Sequence, residues 1–310
     1  MAPTDDQKIA TRSWIMLGLL SLIWGGSFFF VGVAVQDLPA LLIVFARVGL
    51  AALILVPIHL ITQGPLPRDL KTWVACGGMA VLNNILPFTA ISWGQHYIGS
   101  GLAAVINATT PMFGALFMAL FGLEGLSLRK GIALLLGFIG VVILKGGNFG
   151  DLGLQSLGIF AVTFASTCYG LSTPWSKTRL VGIPPMTTAT CQLTVSTAVM
   201  GILAFSFSTP SLYFSASGST WAALIAIASL STAVAYLIFF KLINTAGPSF
   251  TVLVTMLVPI SAVLLGVAFL HETLSVNELL GGAIIILALV IIDGWRCDCF
   301  SQRLPDIYFT

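Results

Sequence analysis

The chain is poor in charge. Only 8% of its 310 residues are charged and 57% are hydrophobic, with a mean hydropathy of +1.03, whereas soluble domains carry roughly a quarter charged residues. So few charges cannot cover the surface of a water-soluble fold. The sequence therefore predicts an integral membrane protein that lies in a lipid bilayer. The net charge of +2 is too small and too scattered along the chain to suggest nucleic acid, so we predict no nucleic-acid partner.

Cysteine is scarce as well. The chain has five cysteines, most of them within apolar runs, and they are expected to be small buried side chains without a disulfide framework. They are Cys76, Cys168, Cys191, Cys297 and Cys299. The last two form a C-x-C pair, and metal ligation there is an alternative that lacks partner ligands. We predict no metal site and no cofactor.

No loop is long enough to hold a soluble domain. A helix needs about 20 apolar residues to cross roughly 30 Å of hydrocarbon, and ten such runs are present. The first five are Ser13–Val35, Leu38–Thr62, Lys71–Trp93, Ile98–Gly122 and Ser127–Lys145, and the second five are Leu154–Thr178, Pro185–Phe207, Ser219–Ile243, Gly247–Leu270 and Ser275–Trp295. The pattern predicts an all-α polytopic membrane protein with ten transmembrane helices.

Lysine and arginine predict the orientation, because they are enriched in cytoplasmic loops. With the N-terminus in the cytoplasm, eleven of the 13 fall on the cytoplasmic side, while Lys145 falls outside and Arg47 lies within the second run. Residues 1–12 and the tail 296–310 are therefore predicted to be cytoplasmic. The first run is long enough to span the bilayer, so we expect no cleaved signal peptide.

The chain repeats itself. A shift of 148 residues places Gly99 on Gly247, Pro111 on Pro259, Phe121 on Phe269 and Glu124 on Glu272. A shift of 145 residues places Gly25 on Gly170, Ser27 on Ser172 and Pro39 on Pro184. Each half, 13–145 and 154–295, holds five runs, an odd number, so the second half must cross the membrane in the opposite direction. Inverted repeats of this kind are typical of secondary transporters that alternate access to a site near the midplane.

Short motifs in both halves add a family resemblance. They are Trp24-Gly25-Gly26-Ser27-Phe28, Phe45-Ala46-Arg47 and the paired segments Pro111 to Glu124 and Pro259 to Glu272. With the inverted repeat, they resemble the EamA-type exporters of the drug/metabolite transporter superfamily, from about Ser13 to Trp295. The nearest group in character is the YddG-like amino-acid exporters. The resemblance implies export of aromatic or other neutral amino acids.

Two prolines mark possible kinks at equivalent positions. Pro111 and Pro259 lack an amide hydrogen, so each leaves the carbonyl four residues earlier, at Asn107 and Thr255, without its helical partner. At membrane depth such a carbonyl must be satisfied by another group or by cavity water. We predict that both residues line a shared path; a simple packing kink is the alternative.

Asn83 and Asn84 are adjacent amides in the third run. Asn84 is one helical turn from Phe88, and Phe88 aligns with Tyr236 of the second half. An amide beside aromatic rings suits an amino acid, so these three residues are predicted to bind substrate. Hydrogen bonding between helices is the alternative.

Arg47 is the only charge well inside a run, where an arginine costs about 2.5–3.5 kcal/mol unless it faces the bundle or a cavity. It is predicted to neutralise a substrate carboxylate, or else to tie helices together through backbone carbonyls. Its counterpart in the second half is Gln192. Trp24 aligns with Tyr169 across the halves, and we predict that both contact the substrate.

Carboxylates are absent from the interior of the runs. Proton-coupled carriers commonly use an embedded carboxylate, so we expect a uniporter or exchanger driven by the substrate gradient. Glu124 and Glu272 end equivalent helices and are each expected to cap or pair near the start of the next.

The predicted function is export of neutral amino acids or related small metabolites across the inner membrane. A carrier of nucleotide sugars or phosphorylated metabolites is the alternative, but its cargo would require several cavity cations. An intramembrane enzyme is a remote alternative that rests on Gly99-Ser100-Gly101, and we predict no catalytic residues. The oligomeric state is left open and is compatible with a monomer.

Overall fold

A helix lies at each predicted run. The computed structural model describes the backbone of residues 5–144, 153–251 and 253–293. The helices are α1 (Asp5–Ala34), α2 (Ala40–Thr62), α3 (Leu70–Gly94), α4 (Ser100–Leu120), α5 (Leu128–Leu144), α6 (Leu154–Arg179), α7 (Pro185–Phe207), α8 (Gly218–Ala246), α9 (Val254–Leu270) and α10 (Val276–Asp293). Two one-turn helices are also present: Leu212–Ser215 was not predicted, and Pro248–Thr251 lies at the start of the predicted run Gly247–Leu270. Within the described ranges the chain forms helices and turns and no strand.

Seven of these helices are long and apolar enough to cross a membrane. They are α1 from Thr11 onward, α2, α3, α4, α6, α7 and α8. Val254–Leu270 and Val276–Ile292 are shorter apolar helices, and α5 has 17 residues. The all-helical, membrane-spanning character is thus confirmed, whereas the count of ten spans and the cytoplasmic termini stay predictions. Lys145, the tail 296–310 and the C-x-C pair lie outside the described residues.

The helix contacts follow the repeat. Helices α2 and α7 pack together, as do α5 and α10, and each of these pairs maps onto itself when every helix is exchanged for its counterpart five positions along. The same exchange maps α4–α6 onto α9–α1 and α3–α6 onto α8–α1. Packing therefore has a pseudo-twofold relation that matches the duplication in the sequence.

Small residues bring the halves close together. A Cβ added to Gly170 on α6 would lie 2.5 Å from Cβ of Phe113 and 2.8 Å from the backbone nitrogen of Gly114 on α4. Its counterpart Gly25 on α1 would meet Ser261 of α9 in the same way. Because only glycine permits this backbone approach, these residues set the spacing of helices across the two halves.

The two prolines behave differently. Helix α4 is interrupted between Asn107 and Thr110, with Pro111 in the first turn of its second segment, and the free carbonyl of Asn107 accepts a 2.8 Å hydrogen bond from Oγ1 of Thr110. Helix α9 instead continues through Pro259. The break in α4 fits the predicted kink, while the regular helix around Pro259 shows how far the two halves have diverged.

A π-helical turn lies at the same place in each half. The turns are Val81–Ile85 in α3 and Ser229–Val234 in α8, and their starts are separated by the 148-residue shift of the repeat. In the second, Oγ1 of Thr232 donates to the carbonyl of Ile227, five residues earlier, at 2.8 Å. Such turns add a residue to a helical turn and frequently lie at functional sites. Each π turn therefore rotates the side chains that follow it onto a different face of the helix.

Candidate functional site

A cavity of about 700 Å³ lies between the two halves. It is lined by side chains from both repeats, from α1 to α4 in the first and from α6 to α9 in the second. Its wall contains most of the residues that the sequence singles out: Trp24, Arg47, Phe88, Asn107, Pro111, Tyr169, Tyr236, Thr255 and Pro259. The fold thus brings nine widely separated positions to one space.

Asn84 is the exception, because the structure places it outside this wall. Its side chain is 0% exposed and Nδ2 donates a 3.1 Å hydrogen bond to Oγ of Ser196 on α7. Its neighbour Asn83 lines the cavity instead. In a regular helix Asn84 and Phe88 would share a face, but the extra residue of the π turn aligns Phe88 with position 83. Sequence periodicity alone gives no signal for this change of register.

Arg47 lies in the cavity wall and is only 8% exposed. Its Nε donates to Oγ1 of Thr232 at 3.2 Å, and its guanidinium carbon lies 3.6 Å from the centroid of the Phe88 ring. Both contacts hold the group while leaving its charge unneutralised. Among the described residues no carboxylate forms an ion pair with Arg47. The positive charge is therefore available to an anionic group within the cavity.

Two acceptor oxygens in the same wall lack partners. Oδ1 of Asn107 and Oε1 of Gln192 are buried without a hydrogen bond from any described residue. The amide nitrogen holds the Gln192 side chain in place, since Nε2 donates to the Tyr236 hydroxyl at 3.0 Å. Buried acceptors are normally paired. These two belong to residues that line the cavity, but the oxygens themselves are covered by neighbouring atoms. The repeat alignment of Gln192 with Arg47 was the one signal for it.

Aromatic rings supply the apolar part of the wall. The rings of Trp24 and Phe239 lie with centroids 5.4 Å apart, and those of Tyr236 and Phe240 are stacked at 5.9 Å. Phe239 and Phe240 line the cavity but carry no signal that separates them from the other 19 phenylalanines of the chain. The result is a charged and amide-lined region beside an aromatic surface.

The cavity extends to one end of the bundle, here called the Lys177 end. There its wall is formed by residues near the end of α6 and the start of α7: Ser176, Lys177, Leu180, Val181, Ile183 and Pro185. The opposite end, here called the Glu272 end, is crossed by hydrogen bonds between the halves. Both oxygens of the Glu272 carboxylate accept backbone amides at the start of α4, from Ser100 at 2.6 Å and Gly101 at 3.0 Å.

Comparison with known protein families gives a match in both halves. The sequence profile of the EamA-like transporter family matches residues 12–145 and 156–293. The two matched stretches cover nearly the same residues as the two predicted repeats, which supports the duplication.

Curated relatives carry transporter names. The "Uncharacterized transporter YvbV" of Bacillus subtilis is 26% identical over 286 residues, which is 91% of this chain and 92% of the relative. The "Uncharacterized inner membrane transporter YedA" of Escherichia coli K12 is 25% identical over 274 residues, 88% of each. A solved crystal structure with 17% identity has a TM-score of 0.62 and covers 91% of this chain and 96% of that chain. That likeness concerns the fold alone.

Proposed function

The chain belongs to the EamA-like transporter family and is a multi-pass protein of the inner membrane, and on that premise we propose that it exports neutral amino acids, especially aromatic or other apolar ones. Related small zwitterionic metabolites belong to the same proposal. Transport proceeds by alternating access between two inverted five-helix halves. The proposed binding site is the cavity between them.

The observation that carries this proposal is the uncompensated charge of Arg47 in the same cavity wall as two residues with unpaired acceptors. A substrate carboxylate can accept from the guanidinium, which has no described carboxylate partner. A substrate ammonium can donate to Oδ1 of Asn107 and Oε1 of Gln192 once these amides rotate toward the cavity, since neither oxygen has a described donor. Charge-assisted hydrogen bonds of this kind are about twice as strong as neutral ones. A zwitterion satisfies both sets of groups at once.

The size and apolar wall of the cavity favour a small cargo with a hydrophobic side chain. A volume of about 700 Å³ falls within the roughly 300–1,000 Å³ range of small-molecule sites. The rings of Trp24, Phe239 and Phe240 offer a surface on which an aromatic side chain can stack. An aromatic amino acid therefore matches both the polar and the apolar parts of the wall.

The direction of transport follows from the proposed orientation. The Lys177 end is rich in lysine and arginine, including Lys177 and Arg179 at the end of α6, and basic residues mark the cytoplasmic side. A cavity open at this end receives cargo from the cytoplasm, as an exporter requires. Because no carboxylate is found among the described residues of the lining, we propose that the substrate gradient drives the exchange.

The rival cargo, a nucleotide sugar or phosphorylated metabolite, has weaker support. Phosphate groups call for several cations, whereas the lining holds Arg47 deep inside and Lys177 at the mouth. Catalysis has less support still, because the amides of Ser100 and Gly101 in the Gly-Ser-Gly motif are already bound by Glu272.

A binding panel with the purified protein tests the proposed cargo. We expect phenylalanine, tryptophan, leucine and methionine to displace a radiolabelled aromatic amino acid, with Kd values in the micromolar to millimolar range typical of small-molecule carriers, on the order of 10⁻⁶–10⁻³ M. Nucleotide sugars and sugar phosphates should not displace it. No specific binding of the labelled amino acid, with specific binding of a labelled nucleotide sugar instead, would favour the rival cargo.

The neighbouring amides of α3 provide a matched control. Asn83→Ala removes a group from the cavity wall and should weaken binding by about tenfold, the effect of one hydrogen bond of about 1.5 kcal/mol. Asn84→Ala removes a buried contact to Ser196 instead, so it should lower the melting temperature and leave the affinity unchanged. The opposite pattern would place the site on the other face of α3.

A further inference from the structure

The closure of the Glu272 end rests on a contact between the halves. Glu272 follows α9 of the second half, yet its carboxylate accepts hydrogen bonds from the amides of Ser100 and Gly101, which begin α4 of the first half. The first amides of a helix have no helical partner and carry its positive dipole. The expectation that Glu272 would pair near the start of the next helix was therefore wrong.

A second carboxylate makes a similar contact between the end of α1 and the start of α8. Oδ2 of Asp37, in the loop after α1, accepts from the Ser217 amide at 2.9 Å and from the hydroxyls of Ser217 and Thr220 at 2.6 Å. Ser217 caps the start of α8 by accepting from the Thr220 amide at 3.3 Å, so this contact also joins the halves. The hydroxyls of Ser217 and Thr220 and the amide of Ser217 lower the pKa of Asp37 to about 2. The carboxylate is thus ionised at physiological pH.

The repeat supplies an internal comparison for the Glu272 contact. Its counterpart is Glu124, which instead pairs with Lys130 of its own half at 2.5 Å. The residue equivalent to Ser100 is Pro248. Because proline has no amide hydrogen, it cannot make the 2.6 Å hydrogen bond that Ser100 makes to Glu272.

The Asp37 contact also lacks a counterpart. The 145-residue shift places Gly182 at the position of Asp37, and glycine has no side chain with which to join the halves. At the position of Ser217 the first half has Asp69, which caps its own helix by accepting from the Thr72 amide at 2.8 Å. Carboxylate contacts between the halves therefore lie at the Glu272 end. The equivalent residues at the Lys177 end do not make them.

We propose that the Glu272 and Asp37 contacts form a one-sided latch, which holds the empty carrier closed at the Glu272 end and open at the Lys177 end. The latch must break each time the carrier exposes its cavity to the Glu272 side. The two open states of the carrier therefore differ in free energy, and the empty carrier rests in the state that is open at the Lys177 end. The proposal depends on alternating access but not on the identity of the cargo.

Distances between spin labels test the latch without any substrate. In a variant whose native cysteines are replaced by alanine, labels at the exposed positions His96→Cys and Thr273→Cys lie on opposite halves at the Glu272 end. Pulsed electron paramagnetic resonance in nanodiscs then gives their distance distribution. We expect one short distance in the parent protein, and Glu272→Gln should raise the fraction of longer distances about tenfold, since hydrogen bonds to charged groups are the stronger ones.

Two further variants separate the latch from general damage. Ser100→Pro removes the amide donor, copies the residue of the other half, and stands in the first helical position, where proline is tolerated. It should shift the distances as Glu272→Gln does. Glu124→Gln, the matched control, should leave them unchanged. The latch is refuted if Glu272→Gln and Ser100→Pro keep the parent distribution, or if Glu124→Gln shifts it equally.

Discussion

Arg47→Gln is expected to weaken binding of a neutral amino acid by about 100-fold, or about 2.8 kcal/mol. In the parent protein the guanidinium is 8% exposed, has no described carboxylate partner and lies in the cavity wall. Removing one partner of a buried charge pair typically costs 2–5 kcal/mol or more. Glutamine is a mild replacement, because the second half carries Gln192 at the equivalent position. Equilibrium binding of a radiolabelled amino acid measures the loss.

The amide derivative of the same amino acid tells a binding role from a structural one. It lacks the carboxylate, so the parent protein should prefer the acid strongly, while Arg47→Gln should bind acid and amide alike. A purely structural role would weaken both ligands and preserve the preference. If Arg47→Gln retains the parent's discrimination, the carboxylate is bound elsewhere.

Gly170→Ala is expected to lower the melting temperature by about 5–10 °C. The added Cβ would lie 2.5 Å from Cβ of Phe113 and 2.8 Å from the Gly114 nitrogen, so backbone must move to admit it. Overpacking of this kind costs about 1–3 kcal/mol, and each kcal/mol shifts the melting temperature by a few degrees in chains of this size. A fluorescence melt of the detergent-solubilised protein measures the change.

Gly18→Ala is the matched control for this substitution. Gly18 lies in the middle of α1, and nothing lies within 4 Å of the Cβ it would gain. Alanine is the better helix former by about 1 kcal/mol, so the melting temperature should be unchanged or higher. Equal losses for Gly18→Ala and Gly170→Ala would mean that close approach of α4 and α6 does not limit stability.

Hydropathy predicts most of the helices because a membrane span must satisfy its backbone internally. Pro185–Phe207 has the predicted bounds, and α3 differs from its prediction by one residue at each end. The departures occur where local geometry overrides apolar length. The break in α4 before Pro111 and the π turns within α3 and α8 are local changes in backbone hydrogen bonding, which leave no hydropathy signal.

The cavity wall was largely predictable because charged and amide side chains are rare within these helices. Arg47 and Asn107 stand out for this reason, Thr255 stands out because it lies four residues before Pro259, and each lines the cavity. Asn83 and Asn84 show the limit, since only the π turn decides which of two adjacent amides faces the cavity. Aromatic residues such as Phe239 are too common for sequence to single out.

The repeat predicts equivalent contacts for its two aligned glutamates, and the structure shows different ones. Glu124 and Glu272 align with each other, yet one pairs locally with Lys130 and the other joins the halves through the start of α4. The residue at the start of the facing helix accounts for this difference in contacts, since Ser100 has an amide hydrogen and Pro248 has none. The duplication thus places equivalent segments at the two ends, while the contacts made by their glutamates differ.

Counterflow through the purified protein tests the central claim most directly. Proteoliposomes are loaded with unlabelled phenylalanine and diluted into a trace of labelled phenylalanine, with no pH or ion gradient. We predict transient accumulation of label, abolished by excess external leucine or methionine and unaffected by nucleotide sugars. Absence of accumulation in liposomes that contain folded protein, or accumulation only with a nucleotide sugar inside, would contradict the assignment of a neutral amino-acid exporter.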